Sequence, residues 1–557
     1  MSTLEGAMGE TAASDPAPVA SAYATWWARV ESWLMRAGEH LNPILVKETR
    51  QAFKSKQFTI TFGLLLLAGW LYSLGGVLMV GQGIYYGAHG PEMFIGYYVI
   101  LAIPLLVVVP FTAFRSLASE REDGTYELLS ITSLSSRQVV SGKLGSAAIQ
   151  MVLYASAILP CLAFTYLLRG VELPSMLTVI AYTFLGSLGL SLIGLFFATL
   201  TGERHWQVVL SVMLICGLLS CCWLFVGSAY AVVYEEAIDF RDYQFWIAAA
   251  IILSVYVCAS VSIFLASCAQ INFASSNRST ALRLAALGHC AVFIAWMSYL
   301  WIYPLKGNCN LLMVTMALAG AYWFAMGALM TGEESELSLR VRRQLPQSFL
   351  GRVFLTWLSP GPGTGYVLAV SSLMAIGLVV LAALLITDKM PPSNWQAAGP
   401  LYEREVEFTI LAWSYVTLFL GIGRGLIGAA RRVSKISPHT TLLIHVLLLV
   451  MGIAFPMLLE FFFGSFQSRF EYSILHASNP MWTMINVVEG RGSMGDMAIV
   501  QFLVPFAALI VLLLNFPSIA EEVRRIRIAA PKRVAEEDAQ EAALRRPAQV
   551  TKTNPWD

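Results

Sequence analysis

The sequence predicts an all-α polytopic membrane protein of about twelve transmembrane helices in a 6+6 arrangement, and three observations predict it. Of the 557 residues, 57% are hydrophobic and 13% charged, against about 25% charged in soluble domains. Mean hydropathy is +0.65. Apolar runs of about 20 residues recur along the chain, the length a helix needs to cross hydrocarbon with every backbone polar group bonded internally. Finally, Lys and Arg avoid alternate loops. With the N-terminus inside, the outer loops hold only Arg169, Arg241, Lys306, Lys389, Arg404, Arg469 and Arg491 of the 36 basic residues. Positive residues in short loops resist translocation, so both termini are expected in the cytoplasm.

Residues 1–20 are expected to be disordered. Residues 21–57 are expected to form amphipathic and elbow helices. In the first, Trp26, Trp27, Val30, Trp33, Leu34 and Ala37 share one face, which suits a helix lying along the inner membrane surface. In the second, Asn42 can cap a helix that Pro43 begins. No basic region followed by an apolar core and a small-residue cleavage site precedes it, so insertion is expected to start with the first span.

The first six spans are Phe58–Gly81, Phe94–Phe114, Leu144–Leu168, Ser175–Leu200, Trp206–Tyr230 and Phe245–Cys268. They give a six-helix domain over 58–269 with a cytoplasmic loop at 115–143. Residues 270–516 hold the second six: Leu284–Tyr303, Cys309–Met330, Thr364–Ile386, Phe408–Leu426, Thr440–Phe463 and Met497–Phe516. The tail, 517–557, begins with Arg524, Arg525, Arg527, Lys532 and Arg533, a basic cluster suited to anionic membrane lipid.

Several classes of function find no support in the residues. The eight cysteines, Cys161, Cys216, Cys221, Cys222, Cys258, Cys268, Cys290 and Cys309, lie in or at the ends of apolar spans. That placement suits small hydrophobes, with no disulfide framework, metal site or cofactor expected. A net charge of +1 gives no reason to invoke nucleic acid. There is no G-x-x-x-x-G-K-[ST], H-E-x-x-H or G-x-S-x-G motif, so no catalytic site is expected, and any ATPase must come from another polypeptide.

The charged segment EREDGTYELLSITSLSSRQVVSGK, Glu120 to Lys143, stands between two apolar runs. Glu120, Arg121, Glu122 and Asp123 offer charges for recognition and Gly124 allows a break. Thr125 can cap the turn from Tyr126 to Leu129, where Leu128 and Leu129 supply an apolar contact. With Glu127 and Lys143 these residues resemble the E-R-x-x-G-T-x-E-x-L-L loop of ABC-transporter permeases of the type-2 exporter family, although Ser133 or Leu134 stands where the family often has Pro. Asn42, Pro43, Ile44, Lys47, Glu48 and Arg50 are similar to that family's N-P-I-x-x-K-E-x-R elbow helix. The resemblance covers Asn42 to Ala269. It implies a permease subunit in the bacterial plasma (inner) membrane, driven by a separate ATP-binding-cassette ATPase docking on the loop, with one chain or a homodimer completing the pathway. Read as residues alone, the loop can equally be a solvated connection, and the Trp face a lipid anchor.

The second half repeats the topology. Gly332 to Arg343, GEESELSLRVRR, follows the second span of its half as Glu120 does in the first, and could be a second docking loop. The connection 464–495 is where type-2 exporters often place short outer helices. Inside the spans the ionisable residues are His289, Arg424, His445 and Glu460, and Gly421 with Gly425 marks close helix packing. So few buried groups weigh against an ion-coupled carrier, which needs them as relays. The missing catalytic motifs weigh against a membrane-embedded enzyme, whereas a non-transporting scaffold with the same fold is compatible with these residues.

Overall fold

The computed structural model describes residues 42–81, 87–124, 134–235, 238–273, 276–305, 307–334, 348, 351, 354–389, 401–434, 436, 438–463, 472–490, 495–527 and 532–545. Among them there is no strand, and twelve helices are long and apolar enough to cross a membrane. Each coincides with a predicted span, so the chain is an all-α integral membrane protein. The Trp face at 21–40 lies outside the described residues.

By packing, the chain divides into two compact units between Arg241 and Asp242, with five of the spans in the first and seven in the second. The boundary expected from the sequence falls at 269/270 instead. The span between the two boundaries goes with the second unit because it packs on the helix that follows it.

The first unit starts with α1 (Pro43–Lys54), capped by the Asn42 side chain, which accepts the Ile44 amide at 3.1 Å. Ser55 closes it and caps α2 (Lys56–Val80) by accepting the Phe58 amide. The second span is α3 (Gly90–Ile103) and α4 (Val109–Glu122), joined by a π turn at Pro104–Val108. Pro104 and Pro110 lack amide donors, so the α ladder is broken there and widens. Ser187, from α6 (Leu173–Leu200), donates to the Leu105 carbonyl in that turn at 2.5 Å. Between them runs α5 (Ser136–Leu167), which starts from a Ser135–Gln138 capping box. The last helix is α7 (Arg204–Tyr234).

In the second unit α8 (Tyr243–Ile271) packs against α9 (Thr280–Ile302), with Trp296 Nε1 donating to Ser254 at 2.8 Å. His289 lies between Ser262 and Tyr322, 3.3 Å from each hydroxyl, as a hydrogen-bonded packing residue. The core is formed by α10 (Cys309–Met330), α11 (Pro362–Lys389), α12 (Leu401–Ala430) and α15 (Asp496–Arg527) around the fully buried Trp323 and Tyr366. In lipid such a core is held by close packing and interhelical hydrogen bonds, since the surrounding tails are as apolar as the side chains. Outside it lie α13 (Pro438–Phe463) and two short helical pieces in the 464–495 connection, a 3₁₀ turn at Ile474–Ser478 and α14 (Pro480–Val488). The charged α16 (Lys532–Arg545) follows α15.

Two expectations need correction. Gly421 does mark close packing, since a Cβ there would lie 2.4 Å from Val511, but one on Gly425 would meet nothing within 4 Å. The buried ionisable groups are also more numerous than the sequence suggests. Helix α12 begins seven residues before Phe408 and carries Glu405, which is 0% exposed, into the core.

Candidate coupling site

Helix α1 lies against the first turns of α5. A Cβ on Gly142 would stand 2.8 Å from Ile44, and one on Gly145 2.9 Å from Leu45, so two small residues three apart let the helices approach. Ile44 is buried in this notch. Asn42 ties the start of α1 to α5, donating to the Gln138 carbonyl at 2.5 Å and to Ser141 Oγ at 3.3 Å.

That approach brings Glu48, one turn beyond Ile44, onto Lys143. The Lys143 ammonium lies 2.9 Å from Glu48 Oε1, 3.1 Å from Glu120 Oε2 and 3.2 Å from the Ser116 carbonyl. Glu48 and the Ser116 carbonyl accept hydrogen bonds from it, and Glu120 Oε2 adds an ion-pair contact. The other Glu120 oxygen accepts from Lys47 at 3.0 Å. Two carboxylates therefore balance two ammonium groups, and three of the four are largely withdrawn from water: the side chains of Lys143, Glu48 and Glu120 are 1%, 9% and 14% exposed. Burying an ion costs several kcal/mol unless a partner offsets it, so the cluster is stable as a set and unstable when one member is removed. Lys47, half-exposed, loses some charge stability to burial, but the Glu120 and Glu48 carboxylates outweigh this and hold its ammonium above the ordinary lysine range.

The remaining predicted site residues surround this cluster. Arg121 donates to the Ala198 and Thr199 carbonyls, capping the C-terminal end of α6. Gly124, at φ +67°, terminates α4, where the left-handed conformation favours glycine. Pro43, Arg50, Glu122, Asp123 and Gly124 are exposed. Thr125, Glu127, Leu128 and Leu129 lie outside the described residues. The contact of Glu48 with Lys143 is not among the expectations from sequence. Its signals are an acid four residues from Ile44 on the same helical stripe, and a lysine flanked by Gly142 and Gly145.

The second unit has its own buried charge network near the Gly332 segment, of which 335–343 lies outside the described residues. Fully buried Arg283 donates to the carbonyls of Trp357, Ser359 and Gly361, to Thr364, and to Glu333 at 2.6 Å. Glu333 also accepts the Gly361 amide at 2.8 Å and the Ser279 hydroxyl. Beside it Glu522 accepts the Gly363 amide at 2.8 Å and pairs with Arg424 at 3.6 Å. Elsewhere in this unit, buried His445 bonds the Thr441 carbonyl through Nδ1 at 2.9 Å, and Glu460 pairs with His476 at 2.8 Å. Glu405 differs from all of these: neither carboxyl oxygen has a hydrogen-bond partner among the described residues.

Compared with known proteins, residues 95–273 match the sequence profile of the family described as CcmB protein. The match takes in the whole Glu120–Lys143 segment, excludes α1, and covers less than half of the chain. No curated protein and no solved structure matches.

Proposed function

We propose that the chain is the membrane subunit of an ABC-type exporter of the type-2 class, with a separately encoded ATPase docking on the segment 115–143. The observation that carries this reading is the burial of Lys143 between Glu48 and Glu120. One ammonium joins the elbow helix α1, the end of α4 and the start of α5, so a push on the connecting segment moves three elements together. A docking loop needs such a stiff join to the spans it drives. The similarity to CcmB protein, a family of ABC-type membrane permease components, supports the same reading. The lopsided Lys/Arg distribution supports cytoplasmic termini and a loop on the ATP side of the membrane.

Within this site the roles divide by exposure. Exposed Glu122 and Asp123 meet the ATPase, where charges on a rim steer association. Glu120 and Lys143 transmit the movement from within. Glu122→Lys together with Asp123→Lys should weaken co-purification of the partner ATPase by about tenfold while membrane levels of the permease stay unchanged. Undiminished co-purification overturns the docking assignment.

One observation favours a second reading, an ion-coupled carrier: the unpartnered Glu405, since intramembrane carboxylates serve such carriers as ion sites. Transport that persists without ATP and is lost both with Glu405→Gln and with an ionophore would select it over the exporter.

A further inference from the structure

Between the last turns of α12 and the facing turns of α15 lies a cavity of about 480 Å³. Its polar wall is built by Arg424, Arg431 and Arg432 on the α12 side and by Asn515 and Ser518 on α15, and Ile427 and Leu514 give it an apolar side. Glu521 and Glu522 also line it, so the lining residues carry three guanidinium groups and two carboxylates. Arg424 and Glu522 already pair, at 3.6 Å. Arg431 donates to the Gly332 and Glu333 carbonyls at 2.5 and 2.8 Å, which leaves other donors of its five-donor fork unused by them. Burial holds its guanidinium below the ordinary arginine range, with Glu334 and Glu522 restoring part of the loss. Exposed Arg432 has no carboxylate within ion-pair distance among the described residues.

Two glycines keep the cavity wall open. A Cβ on Gly425 or Gly428, both in the cavity wall, would meet nothing within 4 Å. Glycine weakens a helix relative to alanine, and at these two positions no protein neighbour needs the space. Both glycines therefore border open space that a larger side chain can enter without displacing the chain.

We propose that this cavity binds a phosphate-bearing anion, and that the phosphodiester headgroup of a membrane phospholipid is the source its walls suit. Forked guanidinium groups match phosphate oxygens, and the apolar side meets the glycerol and upper acyl chain. The site lies in the second unit and is independent of the coupling role assigned to the first.

The test is thermal unfolding of the full chain in detergent with short-chain phosphatidylglycerol, short-chain phosphatidylcholine or inorganic phosphate, since a ligand of the folded state raises Tm by mass action. The comparison uses Gly428→Leu, which fills the cavity where no atom stands in the way, and Arg432→Gln, which removes an exposed charge. Phosphatidylglycerol should stabilise the wild type more than phosphatidylcholine does, and each variant should weaken that binding by about tenfold while keeping its ligand-free Tm. Stabilisation by inorganic phosphate alone, lost in both variants, supports the phosphate site and assigns it a soluble occupant. Equal response of the wild type and both variants, or no response of the wild type to any of the three, overturns the proposal.

Discussion

In the first unit Lys143 joins α1, α4 and α5 through two carboxylates and one carbonyl, whereas in the second Arg283 uses its guanidinium on three loop carbonyls, a hydroxyl and Glu333. The contrast lies in what is held. Lys143 ties side chains on separate helices, and those bonds can shift together as the helices shift. Arg283, Glu333 and Glu522 fasten the backbone of the turn from Trp357 to Thr364, through its carbonyls and amides, at points with no side-chain freedom. The first arrangement suits a moving joint and the second a fixed frame.

The sharpest way to break the comparison is Arg283→Leu. It leaves the partly buried Glu333 without its cation and three carbonyls without their donor, and it should cost about 3–5 kcal/mol of stability. A large drop in Tm, or loss of folded protein from detergent extracts, is the expected result. Lys143→Met should cost less, about 1–3 kcal/mol, because Lys47 still bonds Glu120 and stands 3.8 Å from Glu48, and only one carbonyl loses its donor. Equal or reversed losses in the two variants would show that the two networks do not differ in kind.

A smaller effect sharpens the picture of the first site. Lys47 is half-exposed, so Lys47→Ala should change stability by less than about 1 kcal/mol. Its folded-state pKa lies above the ordinary lysine value of 10.5, so the stabilisation it provides is complete below that value and is lost as pH rises through the higher folded value. Unfolding in alkaline buffer should show the wild type losing its advantage over Lys47→Ala only above about pH 10.5.

The sequence reveals the spans well and their ends poorly, for a physical reason. Hydropathy reports where a helix leaves the lipid, whereas backbone hydrogen bonds and caps decide where it stops. Helix α5 begins eight residues before the predicted Leu144 because the Ser135–Gln138 capping box starts it there. Helix α15 continues through Pro517 to Arg527, eleven residues past Phe516. Glu48, Glu120 and Lys143 are also legible as individual residues of interest. Their meeting is not legible, because it rests on Gly142 and Gly145 admitting α1 to a helix almost a hundred residues away in sequence. For the same reason Arg283, Glu333 and Glu522 read as unrelated charges at the ends of different spans.

The coupling role of Lys143 is tested most directly by one measurement: the ATP hydrolysis rate of the partner ATPase reconstituted with wild-type or Lys143→Met permease in proteoliposomes. That role predicts that the variant still assembles with the ATPase, because the docking charges Glu122 and Asp123 are untouched, but loses most of the stimulation that the wild-type permease gives. Wild-type stimulation by an assembled Lys143→Met complex would contradict it.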